Sequence, residues 1–172
     1  MHQIVISLLG LSIYETKSNY QNNSSYKLQT GEFINSIDVL LNSFDNEEKF
    51  IFFGTEKSIN KHKEAFEKLI VKMNVTFIEY DSQNLNDIFY KIISTIIDHK
   101  ENEILFDITH SFRDSVIMSV ISTIVSQIVY NPNIAMIYAK EVEKFKKYEY
   151  EQVSEDILDT SNIAFILSSF IT

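Results

Sequence analysis

Short runs of β-branched and aromatic residues alternate in this chain with longer stretches whose apolar positions recur every three to four residues. The first run, Ile4-Val5-Ile6-Ser7-Leu8-Leu9, ends at Gly10 and predicts a buried strand with a glycine at its C-terminal end. The polar stretch 11–30 carries tyrosines at 14, 20 and 26 and reads as a loop or hairpin excursion; its 18–27 portion is a candidate lid. Phe33, Ile34, Ile37, Leu40, Leu41 and Phe44 follow helical spacing, so 31–44 is predicted as an amphipathic helix. Phe50-Ile51-Phe52-Phe53 predicts a second strand, also ending in glycine, at Gly54. Ser58 is the candidate cap of the next helix, whose apolar face is Ile59, Ala65, Phe66, Leu69, Ile70 and Met73. Strands at 75–78 and 104–106 flank a helix that starts at Ser82 or Asn84, with Leu85, Ile88, Phe89, Ile92, Ile96 and Ile97 inward.

The stretch from about 113 to 130 is apolar or small nearly all round. Serines at 115, 119, 122 and 126 would permit close packing, so this helix is predicted to be buried on two sides, with a dimer interface as one of them. Pro132 stops it, and Ile134–Tyr138 predicts a fifth strand. Residues 144–151 read as an exposed edge strand, whose lysines discourage strand addition, and 160–171 as an apolar helical stretch. Strands alternating with helices at these lengths imply an α/β, Rossmann-like fold. Its sheet is expected to be mostly parallel with helices on both faces and small edge-strand or hairpin additions. One domain spans 1–172, with 160–172 as a terminal helix or the start of a linker.

Composition narrows the function classes. A net charge of −9 argues against a broad face for DNA or long RNA, but leaves room for a small anion in a local pocket. There is no cysteine, and His2, His62, His99 and His110 are scattered, so no metal site or cofactor is expected. The apolar start is short and lacks a basic leader, and no run approaches a membrane span; a cytoplasmic protein without a membrane partner is the expectation. The chain has three glycines and one arginine, which makes their positions informative.

Ligands of open α/β sheets bind at the C-terminal ends of the strands. Three such ends carry unusual residues: Gly10-Leu11-Ser12, Gly54-Thr55-Glu56-Lys57 and Asp107-Ile108-Thr109-His110-Ser111-Phe112-Arg113. Glycine after a strand either makes a tight turn or lets backbone N–H groups approach a ligand. The third segment lies between a strand and a helix start, where free N–H groups and the helix dipole favour an anion. Arg113 offers a planar fork of donors for phosphate, and His110 can donate or transfer a proton near neutral pH. The alternative is structural: Asp107 pairs with Arg113, while Thr109 or Ser111 caps the helix.

The strand-Leu-Gly-x-Ser-x-Tyr start, Phe-Phe-Gly-Thr at 52–55 and Phe-Asp-Ile-Thr-His-Ser-Phe-Arg at 106–113 resemble the CARF (CRISPR-associated Rossmann fold) domain. The closer likeness is to the sensor half of the ancillary ribonucleases of type III CRISPR systems, and it runs from Ile4 to about Phe170. The resemblance implies a homodimer that binds cyclic oligoadenylate, with cyclic tetra-adenylate the expected ring, on its two-fold axis in antiviral signalling. Leu9, Gly10, Leu11 and Ser12 would line one side, and Gly54, Thr55, Glu56 and Lys57 another. Asp107 and Thr109 to Arg113, Phe112 included, would hold phosphate and ribose, with adenines stacking on Tyr14 or Tyr20. At position 111 relatives often carry glycine, so Ser111 adds a hydroxyl and a Cβ.

Such sensors are commonly followed by a helical ribonuclease domain with an arginine–histidine pair on one helix. This chain has no arginine besides Arg113 and no histidine after His110, so that pair is absent. An effector, fused beyond Thr172 or separate, would then receive the signal. The alternative is an enzyme: a metal-independent ring nuclease that cleaves its ligand by 2′-OH attack. In it Arg113 or Lys57 would stabilise charge, and Ser12, His110 or Ser111 would orient or deprotonate the hydroxyl.

Overall fold

A computed structural model describes residues 2–109 and 111–153. The helical stretch expected at 160–171 and the side chain of His110 lie outside them. The elements are β1 (Gln3–Leu8), β2 (Ser18–Asn22), β3 (Gly31–Phe33), α1 (Ser36–Ser43), β4 (Lys49–Gly54), α2 (Glu56–Ala65), α3 (Glu67–Ile70), β5 (Asn74–Glu79), α4 (Leu85–Asp98), β6 (Glu103–Asp107), α5 (Arg113–Tyr130), β7 (Asn133–Glu143) and β8 (Lys147–Gln152). They build one mixed sheet in the order β3-β2-β8-β7-β6-β1-β4-β5. The five strands from β7 to β5 are parallel, as the alternating pattern predicted.

Period-two alternation on the central strands splits the core in two. Val5, Leu9, Phe50 and Phe52 face one side, where α1, α2 and α3 bring Ile37, Leu40, Ile59 and Leu69. Ile4, Ile6, Leu8, Ile51 and Phe53 face the other, under Ile88, Ile92 and Ile96 of α4 and Val116 and Val120 of α5. The serines of α5 are buried, as their small size suggested. Ser119, Ser122, Thr123 and Ser126 each return a hydroxyl hydrogen bond to the carbonyl four residues back, at 2.6–2.9 Å. Satisfied within their own helix, these hydroxyls can be buried at little cost. Ile128, Val129 and Tyr130 at the end of α5 stay exposed.

Three local expectations are corrected. The helix predicted at 31–44 is a short strand followed by α1, because the Asn35 side chain accepts from Asp38 N at 3.1 Å and fixes the helix start there. The cap of α2 is Thr55, not Ser58; Ser58 sits one turn in, buried, with its hydroxyl donating to Thr55 O at 2.9 Å. Residues 147–152 are not an edge strand. β8 runs antiparallel to β7 and parallel to β2, which covers its far side. Its Tyr148 and Tyr150 point inward, alternating with glutamates, and Tyr148 stacks on Tyr20 at 5.0 Å. The 11–30 stretch, read as a loop or hairpin excursion, contains β2, which pairs antiparallel with β3 just beyond it at 31–33 and extends the main sheet.

One consequence of this topology bears on the site. β7 leaves β6 at the pair Asp107–Ile137, and residues 138–143 continue past the C-terminal edge of the parallel strands. At ~3.3 Å per residue this hairpin stands about 20 Å proud of that edge.

Candidate functional site at the strand-order reversal

From β1 the chain winds outward to β4 and β5, then crosses back to β6 and β7. The order therefore reverses between β1 and β6, and diverging connections leave a crevice there. A cavity of about 250 Å³ occupies it, lined by Gly10, Leu11 and Ser12 after β1 and by Thr109, Ser111 and Phe112 after β6. Six of the residues singled out from the sequence thus meet in one place.

Asp107 ends β6 and holds the loop that follows it. It is fully buried, and its Oδ1 accepts from Thr109 N at 3.0 Å and from the Thr109 hydroxyl, while Oδ2 accepts from Ser7 Oγ at 3.2 Å. Burial pushes its carboxyl up from 3.8 to about 6, against these hydrogen bonds, which hold it down. Burial likewise holds the Tyr20 and Tyr150 phenols above their ordinary range, with the Asp107 charge adding to it. Asp107 does not pair with Arg113. Arg113 is the exposed first residue of α5 and has no ion pair among the described residues. A cation in the first turn opposes the helix dipole, so its position is unfavourable unless an anion joins it. Ser111 Oγ, on the cavity wall, is buried without a partner among the described residues, and such groups call for a ligand, water or other explanation. Neither Thr109 nor Ser111 caps α5: Phe112 stands at the cap position with no side-chain bond.

Thr109 has a second role that the sequence did not disclose. Where the β6–β7 ladder ends, its hydroxyl accepts from Ala139 N at 2.8 Å and replaces the next backbone rung. The loop between β6 and α5 is therefore tied to the projecting β7–β8 hairpin.

Three further side chains, which the sequence did not single out, support the Gly10–Ser12 loop. Lys61 Nζ donates to Leu11 O at 3.2 Å, and Asn35 Nδ2 reaches Ser12 O at 3.5 Å. His62 Nδ1 lies 2.8 Å from Ser58 O, which can only accept, so Nδ1 carries the proton and Nε2 accepts from Asn35 Nδ2 at 3.3 Å. Burial lowers the pKa of His62 and favours this neutral form. A histidine four residues after Ser58 was the one available hint.

The second predicted loop contributes differently. Gly54 is buried at the end of β4, and a Cβ there would lie 2.5 Å from Ser58 Oγ and 3.2 Å from Leu9 Cβ. It is glycine so that α2 can close on the sheet, rather than to admit a ligand. Leu9 is likewise core. Thr55 and Glu56 line a separate, acidic depression of about 390 Å³ with Glu79, Asp81 and Asp87. Lys57 is exposed on the first turn of α2. Tyr20 is wholly buried and offers no face for stacking. Tyr14 instead lines a third cavity, beside the hairpin tip.

Among the described residues no group of His, Cys, Asp and Glu is placed to hold a metal ion, and no helix is long and apolar enough to cross a membrane. No protein-family model matches the chain, and no curated protein matches it in sequence.

Proposed function

We propose that this protein is a CARF-type sensor that binds a cyclic oligoadenylate, cyclic tetra-adenylate first among them, in the cytoplasm as part of type III CRISPR signalling. The observation that carries the reading is Arg113: the chain's one arginine, exposed and unpaired among the described residues, at the start of the helix that opens on the strand-order reversal. Around it, free N–H groups of the first turn, the unpartnered Ser111 hydroxyl and the open loop Gly10–Ser12 supply donors for a phosphodiester. A ring of several phosphates is larger than one 250 Å³ crevice. Two copies of the site facing each other across a two-fold axis would accommodate it. Leu85 and Phe112 are exposed large apolar side chains at the N-terminal ends of α4 and α5, Tyr90 is exposed farther along α4, and Ile128 and Val129 are exposed in the last turn of α5. They supply the apolar surface such a dimer needs.

Ring cleavage is the second reading. It is favoured by Ser12, exposed at the lip of the cavity with a hydroxyl that has no partner among the described residues.

Incubation with cyclic tri-, tetra- and hexa-adenylate, followed by chromatography of bound and free nucleotide, tests both readings. Wild type is expected to retain one ring size. Arg113→Ala is expected to lose roughly 1.5–3 kcal/mol of affinity with an unchanged melting temperature, because a charge-assisted contact goes and no ion pair within the described residues does. Cleavage products formed in EDTA would establish the nuclease; a ring returned uncut after hours at excess protein would refute it. Wild type binding none of the rings would overturn the sensor.

A further inference from the structure

The Gly10–Ser12 loop lines the crevice, yet the side chains that hold it lie behind it, on α2 and at the start of α1. Lys61 Nζ donates to Leu11 O at 3.2 Å, and Asn35 Nδ2 donates to Ser12 O at 3.5 Å. The peptide bonds are trans, so each N–H points opposite to the carbonyl before it. With both carbonyls turned to the helices, the N–H groups of Ser12 and Ile13 face the other way. Neither N–H has a partner among the described residues. The orientation of these two peptides therefore depends on residues that do not line the crevice.

Asn35 is the more constrained of the two anchors. It is wholly buried, and its amide is fully used. Its Oδ1 accepts from Asp38 N at 3.1 Å and caps α1. One Nδ2 hydrogen serves Ser12 O and the other serves His62 Nε2 at 3.3 Å. Turning the amide over would set Nδ2 against the Asp38 N–H and leave Ser12 O without this donor. His62 decides which way it lies. Its Nδ1 donates to Ser58 O at 2.8 Å, so Nε2 of the neutral ring is an acceptor. A proton on Nε2 would put two donors face to face. Relief requires the Asn35 amide to rotate or move away, and either takes the donor from Ser12 O.

The surroundings of His62 favour the neutral ring. It is 1% exposed. Burial lowers its pKa from 6.5, the Ser58 carbonyl partly offsets this, and Lys61 adds to the lowering. On α1 the Asp38 carboxylate already accepts from Ile34 N and Asn42 Nδ2, at 2.9 Å each. β4 and β5 present only Phe50, Phe52, Val75 and Phe77 to this side of the sheet. Glu67 and Lys68 of α3, and Glu15 and Lys17 beyond Ser12, are exposed to solvent.

Resting on the sensor reading, we propose that His62 is a proton-controlled positioning residue. Neutral, it holds the Asn35 amide in the orientation that tethers the Gly10–Ser12 loop for the ligand; protonated, it frees the loop and weakens binding. Linkage makes the effect reciprocal: a ligand that needs the tethered loop makes His62 harder to protonate. Affinity is then full above the ordinary histidine range and falls as pH drops below it, with one proton limiting the slope to about tenfold per pH unit. Asp107 and His110, in the loop after β6, act in the opposite sense, because taking up a proton there makes the surroundings of an anion less negative.

The test follows isotope-labelled full-length chain by NMR from about pH 8 to 5, the range of histidine titration. The ring nitrogens of His62 are expected to show the Nδ1–H tautomer. The Ser12 and Ile13 amide signals are expected to shift with the same midpoint as His62. His62→Gln can still accept from Asn35 but does not titrate, so those shifts should disappear. Calorimetry with cyclic tetra-adenylate is expected to show wild-type affinity falling roughly three- to tenfold in acid, the worth of one hydrogen bond. His62→Gln should match wild type at neutral pH and lack that fall; the difference between the two proteins cancels Asp107 and His110. Asn35→Ser keeps a cap for α1 but cannot reach the loop, so its affinity should be low already at neutral pH. Ser12 and Ile13 signals that ignore the His62 titration, or a pH profile that His62→Gln leaves unchanged, overturn the device and leave ring binding standing. The first of these readouts is made on wild type alone, so it decides even if a variant fails to fold. Amide signals that follow His62 in a protein that ignores cyclic tetra-adenylate uphold the loop device and remove the sensor.

Discussion

Replacing Asp107 with asparagine should make the protein more stable above neutral pH, although it alters the most buried acid of the site. The sign follows from linkage. Asp107 ionises at about 6 in the folded chain and near 3.8 when unfolded. Between those values the native state holds a proton that the unfolded state has lost, so stability falls as pH rises through the window. At ~1.4 kcal/mol per pH unit the folded protein gives up roughly 3 kcal/mol by pH 7, an order-of-magnitude figure. Asparagine carries no such penalty and can keep the hydrogen bonds. Its carbonyl can accept both Thr109 donors that Asp107 Oδ1 accepts now, and its amide can donate to Ser7 Oγ after the hydroxyl turns.

The comparison must be made between variants, because other groups titrate nearby with the opposite sign. His62 is depressed by burial, so its contribution is present above about 6.5 and lost as pH falls. Asp87 is depressed by the Asp81 N–H and by Lys91, and its smaller, solvent-screened contribution is lost at still lower pH. Subtracting wild type from Asp107→Asn cancels both. The assay is urea denaturation at fixed pH values from 4 to 8, followed by far-ultraviolet circular dichroism since the chain has no tryptophan. The two proteins should lie within about 1 kcal/mol at pH 4. The gap should open between pH 4 and 6 in favour of the variant and level off near 7. A gap that does not change with pH, or a variant increasingly less stable toward pH 8, would refute the buried-charge account.

Thr109→Val should cost about 1–3 kcal/mol, because it strands Ala139 N and removes one donor to Asp107 with no change of shape. Amide exchange at Ala139 should rise with it, and unchanged protection would show that the loop and hairpin are not tied through Thr109. Sedimentation should give a dimer at micromolar concentration and a monomer for Ile121→Lys, a partly exposed position of α5; a wild-type monomer would remove the two-fold site.

The central fold was legible because buried parallel strands announce themselves as unbroken apolar runs. Ile4–Leu9 and Phe50–Phe53 each end in glycine, and both are central strands. Of the three strand-end loops read from rare residues, those after β1 and β6 meet in one crevice and the one after β4 does not. What stayed hidden depends on distant partners. Lys-Tyr-Glu-Tyr-Glu looks half exposed, and only β2, more than a hundred residues earlier, turns Tyr148 and Tyr150 into core. Gly54 was legible as special but not for the right reason, because the close approach of Ser58 depends on how α2 folds back. Thr55 and Ser58 are both good caps, and the choice turns on three residues, about one turn, of helix register. His62 and Asn35 offered almost no signal, since a neutral buried histidine joined to an asparagine is a tertiary event.

Net acidity does not argue against the proposed ring ligand once distances are considered. The net charge of −9 acts over the whole surface, but charges beyond ~8 Å are largely screened at physiological salt. What the proposed ligand would meet is local. Arg113 opens α5, Lys57 sits on the first turn of α2, and Lys61 is fixed to Leu11 O beside the crevice. The nearest buried acid, Asp107, has its charge disfavoured by burial and its oxygens occupied by Thr109 and Ser7. Global repulsion then acts mainly against long nucleic acids, whose many phosphates would extend past the crevice over an acidic surface. By the same arithmetic one arginine would suffice for the proposed ligand: a compact anion needs a few well-placed donors, and a helix start can supply the rest from its own backbone.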